Sequence, residues 1–179
     1  MATGAGGLRC RTLAGMGEHA APAVPSPMRV GVISDTHGLL RPEALDALQG
    51  SDLILHAGDV GPRDILDRLR EVAPVVAVRG NVDTAPWTTA LRLSEIVDAG
   101  GLQLFMLHDR AQLDFDPTAA GFAVVIFGHS HRPEADTRNG VLYLNPGSAG
   151  PRRFTLPITL ARLTIAGGTV THELVHLAR

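Results

Sequence analysis

From Met28 onward the chain alternates short runs of β-branched and aliphatic residues with stretches in which apolar residues recur every three or four positions. Val30–Ser34, Leu53–His56 and Val75–Val78 read as strands, because these runs of four or five mainly β-branched and aliphatic residues are too short for a buried helix. Between them, Pro42–Leu48 sets Leu45 and Leu48 three apart behind a proline at the first helical position, with Gly50 as a stop. Pro62–Leu69 places Ile65, Leu66 and Leu69 on one helical face. The order is βαβαβ, which predicts a parallel sheet with right-handed crossovers.

The second half carries strand-like runs with few helical ones: Leu91–Val97, Gln103–Leu107, Val124–Phe127, Ala135–Arg138, Val141–Leu144, Ile158–Ile165 and Val170–Leu177. Asn139-Gly140 is a strong two-residue hairpin signal, and Gly100-Gly101 and Gly167-Gly168 are weaker ones. A parallel half followed by an antiparallel half predicts two sheets packed together with helices outside. Residues 1–27 are rich in Gly, Ala and Pro and show no period. They read as a disordered arm or as the product of an upstream start codon, leaving one domain over residues 28–179.

Composition narrows the function. With 45% hydrophobic and 19% charged residues the chain can build a core, and at 4% aromatic that core must be aliphatic. A net charge of −2 gives no electrostatic reason to bind nucleic acid in general or an anionic membrane. All 16 cations are Arg, so a Schiff-base lysine and a phosphate-loop lysine are both excluded. The single cysteine, Cys10, cannot form an intramolecular disulfide and fits a reducing compartment. No apolar run is long enough to cross a bilayer and no secretory leader is visible, so the expected location is the cytoplasm.

Just after the predicted strands, where α/β folds place their ligands, stand Asp35-Thr36-His37, Gly58-Asp59, Gly80-Asn81, His108 and Gly128-His129-Ser130-His131. Each alone is an ordinary turn or a hydrogen-bonded structural histidine. Together they deliver two carboxylates, one amide and four imidazoles to one sheet edge. That set suits hard-to-borderline divalent cations such as Mn²⁺, Fe²⁺ or Zn²⁺, and the lack of thiolate argues against a soft-metal or iron–sulfur centre. Seven such side chains are too many for one tetrahedral ion and suffice for two ions sharing a carboxylate.

In this order, Asp35-x-His37, Gly58-Asp59, Gly80-Asn81, His108 and Gly128-His129-x-His131 resemble the motifs of the calcineurin-like metallophosphoesterase superfamily. Asn145-Pro146-Gly147-Ser148 and the small size resemble its compact prokaryotic branch, the YfcE-type phosphodiesterases. The resemblance implies an α/β fold, a four-layer αββα sandwich of two mixed sheets flanked by helices. It implies that Asp35, His37 and His131 hold one metal, that Asn81, His108 and His129 hold a second, and that Asp59 bridges both, with Asp59, Asn81 and His108 as the catalytic set. The implied cofactors are two divalent ions, Mn²⁺ foremost, with Fe, Zn, Ni or Co as alternatives. The implied reaction is phosphodiester hydrolysis of a small phosphoester substrate, by in-line attack of a hydroxide bridging the two metals.

Weaker expectations surround this set. Asn145-Pro146-Gly147-Ser148 could aim backbone N–H groups at an anion or could be a fold-closing turn. Asn81, Gly147, Ser148, Arg152 and Arg153 are therefore candidate substrate contacts. His56 could orient a metal ligand from behind or be a buried structural residue, and His172 and His176 are expected at the surface. Two departures stand out. Val82 occupies the place where many relatives carry a His that protonates the leaving group, which leaves Asp83 as the neighbouring alternative acid; Asp109-Arg110 follows His108 where relatives commonly have Gly-His. The alternatives are a non-catalytic protein-binding scaffold on the same fold and a metal-dependent nuclease. The complete ligand set opposes the first, and the absence of a basic stripe with stacking aromatics opposes the second.

Overall fold

The computed structural model describes Met1 and residues 26–177. The expected 1–27 arm, including Cys10 and His19, lies almost wholly outside the described residues. The elements run β1 (Met28–Ile33), α1 (Pro42–Leu48), β2 (Leu53–His56), α2 (Asp64–Arg70), β3 (Val75–Ala77), β4 (Ser94–Ala99), β5 (Leu102–Leu107), β6 (Val124–Ile126), β7 (Glu134–Arg138), β8 (Val141–Asn145), β9 (Thr159–Ala166) and β10 (Thr169–His176). Short 3-10 turns cover Pro86–Ala90 and Arg110–Gln112.

Two five-stranded mixed sheets result, ordered β10-β9-β1-β2-β3 and β4-β5-β6-β8-β7. The expected parallel unit is present, with β1, β2 and β3 in parallel register. The second half is not simply antiparallel. β5, β6 and β8 pair in parallel, while β9 and β10 leave that half and extend the first sheet, β9 antiparallel to β1 and β10 antiparallel to β9. The three two-residue loops at Gly100-Gly101, Asn139-Gly140 and Gly167-Gly168 close hairpins with positive φ at both positions, as such turns require.

Alternation along each strand builds the layers. Val30, Val32 and Leu55 of the first sheet meet Leu104, Met106, Val124, Ile126, Leu142 and Leu144 of the second in the central core. The intervening residues Ile33 and Ile54 face the other way, onto Leu48 of α1 and Ile65, Leu66 and Leu69 of α2. Gly31 is glycine because a Cβ there would collide with Leu48, so its absence lets α1 sit directly on β1. The outer layer on the second sheet is thin: the Arg110–Gln112 turn and the loop beyond it bring Phe115 and Phe122 onto Phe105, with ring centroids 5.0 and 5.3 Å away.

The topology has one functional consequence. β1, β2, β3, β5, β6 and β8 are the strands that run parallel to a neighbour, and the chain leaving the C-terminal end of each carries a polar motif: Ser34-Asp35, Gly58-Asp59, Gly80-Asn81, His108, Gly128-His129 and, at the last residue of β8, Asn145.

Candidate metal centre

All seven expected metal ligands converge. Asp35 Oδ1 lies 3.3 Å from His131 Nε2 and 3.9 Å from His37 Nε2. The two imidazole nitrogens, 94 residues apart in sequence, stand 3.1 Å from each other with their rings stacked. Asp59 Oδ2 is 3.8 Å from His37 Nε2 and 3.3 Å from His108 Nε2, which places it between the two halves. On the far side Asn81 Oδ1 is 3.0 Å from both His108 Nε2 and His129 Nδ1. Asp35, Asp59, His108 and His131 are buried, His37 is half-buried, and Asn81 and His129 are exposed. The cluster therefore opens to solvent on the Asn81–His129 side.

The backbone is strained to achieve this. Asp35, His37, Asp59, His129 and His131 all adopt positive φ, between 45° and 67°, in the left-handed region that non-glycine residues avoid at a cost of roughly 1–3 kcal/mol each. They are five of the seven such non-glycine residues among the described ones. The loops are zipped to hold them: Asp35 N donates to Gly58 O at 3.0 Å and His37 N to Asp59 O at 2.9 Å. Gly80 lacks a Cβ that would run into the Asp59 carboxylate, so the third loop can press against it.

Hydrogen bonds from behind set the orientation of His108 and Asp35. His108 Nδ1–H donates to Ala57 O at 2.7 Å, which fixes the tautomer and turns a lone pair on Nε2 into the cluster. Asp35 Oδ2 accepts from Ser34 Oγ at 2.7 Å and His129 N at 3.2 Å, while Oδ1 is buried without any hydrogen bond. An unpaired buried carboxylate oxygen costs several kcal/mol unless a cation meets it. The donor set fits divalent metal: Asp35, His37 and His131 offer atoms within 4.8 Å of one another, as do Asp35, Asp59 and His108.

The charges reflect the crowding. Burial works against ionising Asp59, but its bonds to His108 and to Val82 N–H outweigh burial and hold its carboxyl below the usual range. Burial likewise opposes protonation of His108, yet the bond to Asp59 and the neighbouring carboxylates raise its pKa. At His37 burial wins over Asp59 and Asp35, and the pKa falls.

Asp83 is not legible in the sequence as a support, whereas His56 reads as either an orienting or a buried structural residue. Asp83 does not face the cluster as an acid would: Oδ1 accepts from Val60 N at 2.9 Å and Gly61 N at 3.1 Å, and Oδ2 from Gly80 N at 2.8 Å. It clamps the second loop to the third, which removes it as the alternative proton donor. His56 is structural and supports the first loop: its Nδ1 accepts from Gly58 N, its Nε2–H donates to Thr36 Oγ1 at 2.9 Å, and Thr36 passes the bond to Val60 O.

The run Asn145-Pro146-Gly147-Ser148 is a fold-closing turn. Gly147 N–H is spent on Asn145 Oδ1 at 2.9 Å and Ser148 Oγ donates to Asp35 O at 2.9 Å, so the hydroxyl and amide expected to meet substrate point inward. Asn145 Nδ2 meanwhile donates to Gly128 O at 2.7 Å, steadying the loop of His129 and His131. Arg153 does reach the cluster, with Nη2 3.3 Å from His37 Nε2; Arg152 is exposed on the same loop. His172 and His176 lie at the surface.

The family model described as the calcineurin-like phosphoesterase superfamily domain matches residues 28–168. A probable metallophosphoesterase of Methanocaldococcus jannaschii is 39% identical over 134 residues, 68% of this chain and 68% of its own. Phosphodiesterase YfcE of Escherichia coli K12 is 32% identical over 152 residues, covering 68% of this chain and 79% of that protein. Among solved structures, wild-type Vps29 of Entamoeba histolytica with zinc superposes with a TM-score of 0.63 at 26% identity, covering 83% of this chain and 99% of that one.

Proposed function

We propose, from the premise that this chain belongs to the calcineurin-like phosphoesterase superfamily, that it is a phosphodiesterase working with two divalent metal ions on small phosphoesters. The observation that carries this is the buried, unpartnered Asp35 Oδ1 facing His37 and His131, with Asp59 Oδ2 between that group and His108. Asp35, His37 and His131 would hold one ion and Asn81, His108 and His129 the other, with Asp59 shared. Ions bound there would supply charge neutralisation for the phosphoryl oxygens and a lowered pKa for the attacking water, as Mn²⁺ and related cations do.

The chain's own residues do the rest. His108 Nδ1 is held by Ala57 O, so Nε2 is the nitrogen that it turns to the site. Arg153 sits where a phosphoryl oxygen approaching His37 would find its guanidinium, and we assign it the role of substrate clamp. Beside Asp59, Val82 offers no proton to a departing alkoxide, and Asp83 is committed to backbone N–H groups. Esters whose leaving group departs as a stable anion therefore suit this site best.

The fold alone does not decide between an enzyme and a protein-binding scaffold. The complete ligand set, held with positive φ at five positions, supports a metal site and with it the enzyme. The test is a panel of aryl diesters, alkyl monoesters and cyclic nucleotides assayed with Mn²⁺. Highest kcat/KM on aryl diesters is expected, and no turnover of any ester with metal bound would leave the scaffold.

A further inference from the structure

Next to His129 a cavity of about 420 Å³ is bounded by Asp109, Arg110, Phe127, Arg132 and Glu134. It begins one residue after His108 and one before Gly128, so both walls hang from the loops that carry expected metal ligands. A space of this size matches one small-molecule substituent. Its notable member is Arg110. The guanidinium donates to Glu134 Oε1 at 2.7 Å, and its carbon lies 4.9 Å from the centroid of the buried Phe127 ring. The guanidinium is thereby held beside an aromatic ring and tied to a carboxylate. The Arg110 side chain is nevertheless 40% exposed.

This arrangement decides what Arg110 can recognise. Glu134 matches its charge, so it is a poor clamp for a further anion. What it offers to the cavity is a flat guanidinium restrained by two contacts, and a restrained guanidinium stacks on flat π-systems at reduced entropic cost. Asp109 helps to hold it there, since its side chain caps the 3-10 turn by accepting from Ala111 N at 2.9 Å.

We infer that Arg110 is a specificity-determining residue that stacks a planar aromatic substituent of the phosphodiester, an aryl or nucleobase group, in the cavity beside His129. The inference rests on the phosphodiesterase reading for its substrate and on this cavity for its selectivity. The two are separable by experiment.

The first arm is equilibrium binding of phenylphosphonate and methylphosphonate to the Mn²⁺-loaded protein by calorimetry. Wild type is expected to bind the phenyl compound about tenfold tighter, the scale of one good guanidinium–ring stack. Arg110→Lys, which keeps the charge and the methylenes but loses the plane, and Arg110→Ala should both bring the ratio close to one, with metal content unchanged. The second arm compares phenyl 4-nitrophenyl phosphate with methyl 4-nitrophenyl phosphate, which share a leaving group. The phenyl ester is expected to lose its kcat/KM advantage in both variants. A phenyl preference that survives both substitutions, or is absent from wild type, overturns the inference. If wild type keeps the binding preference but cleaves neither ester, the phosphodiesterase reading fails and the aromatic pocket stands.

Discussion

Asp59 Oδ2 stands 3.3 Å from His108 Nε2 while its other oxygen accepts from Val82 N at 3.0 Å, so one carboxylate ties the second loop to the third and to β5. Its position between His37 and His108 makes it the residue whose charge both proposed ions share. Asp59→Asn is expected to lower kcat on an aryl diester at least 100-fold, about 2.7 kcal/mol of barrier, and more than Asn81→Ala or His129→Ala does. Side-by-side initial rates for the three variants check the ranking; near-wild-type activity in Asp59→Asn would remove the bridging role.

Asp83 supplies the clearest stability prediction. Replacing it by Ala strands three backbone N–H groups, those of Val60, Gly61 and Gly80. A buried polar group left unsatisfied costs about 1–3 kcal/mol, so a loss of roughly 3 kcal/mol is expected in urea denaturation. Were Asp83 the leaving-group acid, the variant would lose rate on alkyl monoesters while keeping its stability.

His56 makes the fold acid-sensitive. Burial is the main cause that pushes its pKa from 6.5 down to about 4. Below pH 6.5 the unfolded chain takes up a proton that the native protein refuses, so stability declines as pH falls from about 6.5 to about 4 and this contribution is flat below that. The whole step is worth about 3 kcal/mol. Urea midpoints at pH 7.0, 5.5 and 4.5 should show it in wild type, and His56→Gln should lack that part of the slope.

Val82 is 47% exposed beside Asp59, at a place open to substrate. Introducing an imidazole there adds a proton donor where none is present. Val82→His is expected to raise the monoester-to-diester ratio of kcat/KM by 10-fold or more, toward the usual range of about 10²–10⁴ for general acid catalysis, with metal content unchanged. An unaltered ratio would show that the leaving group departs elsewhere.

The strands were readable because their signals are local: an apolar run, a glycine pair, a proline at a helix start. Pairing was not, since nothing inside Gln103–Leu107 or Val124–Phe127 states that these runs lie parallel, or that β9 crosses back to β1. The residues of the candidate metal cluster were readable as motifs following strands. Their supports were not: the worth of Asp83, Asn145 and Ser148 depends on which backbone groups other loops bring within reach. Gly147 and Ser148 looked like an anion nest for the same reason, because an Asn-Pro-Gly-Ser turn reads alike whether its donors face inward or outward.

The two-ion site is tested most directly by metal stoichiometry measured together with activity. Protein stripped by chelation is titrated with Mn²⁺, and bound metal and aryl diester hydrolysis are followed in the same samples. Two ions per chain, activity negligible in the stripped protein and full only as the second equivalent binds, is the expected result. Full activity in stripped protein, or saturation at one ion per chain with full activity, would contradict it.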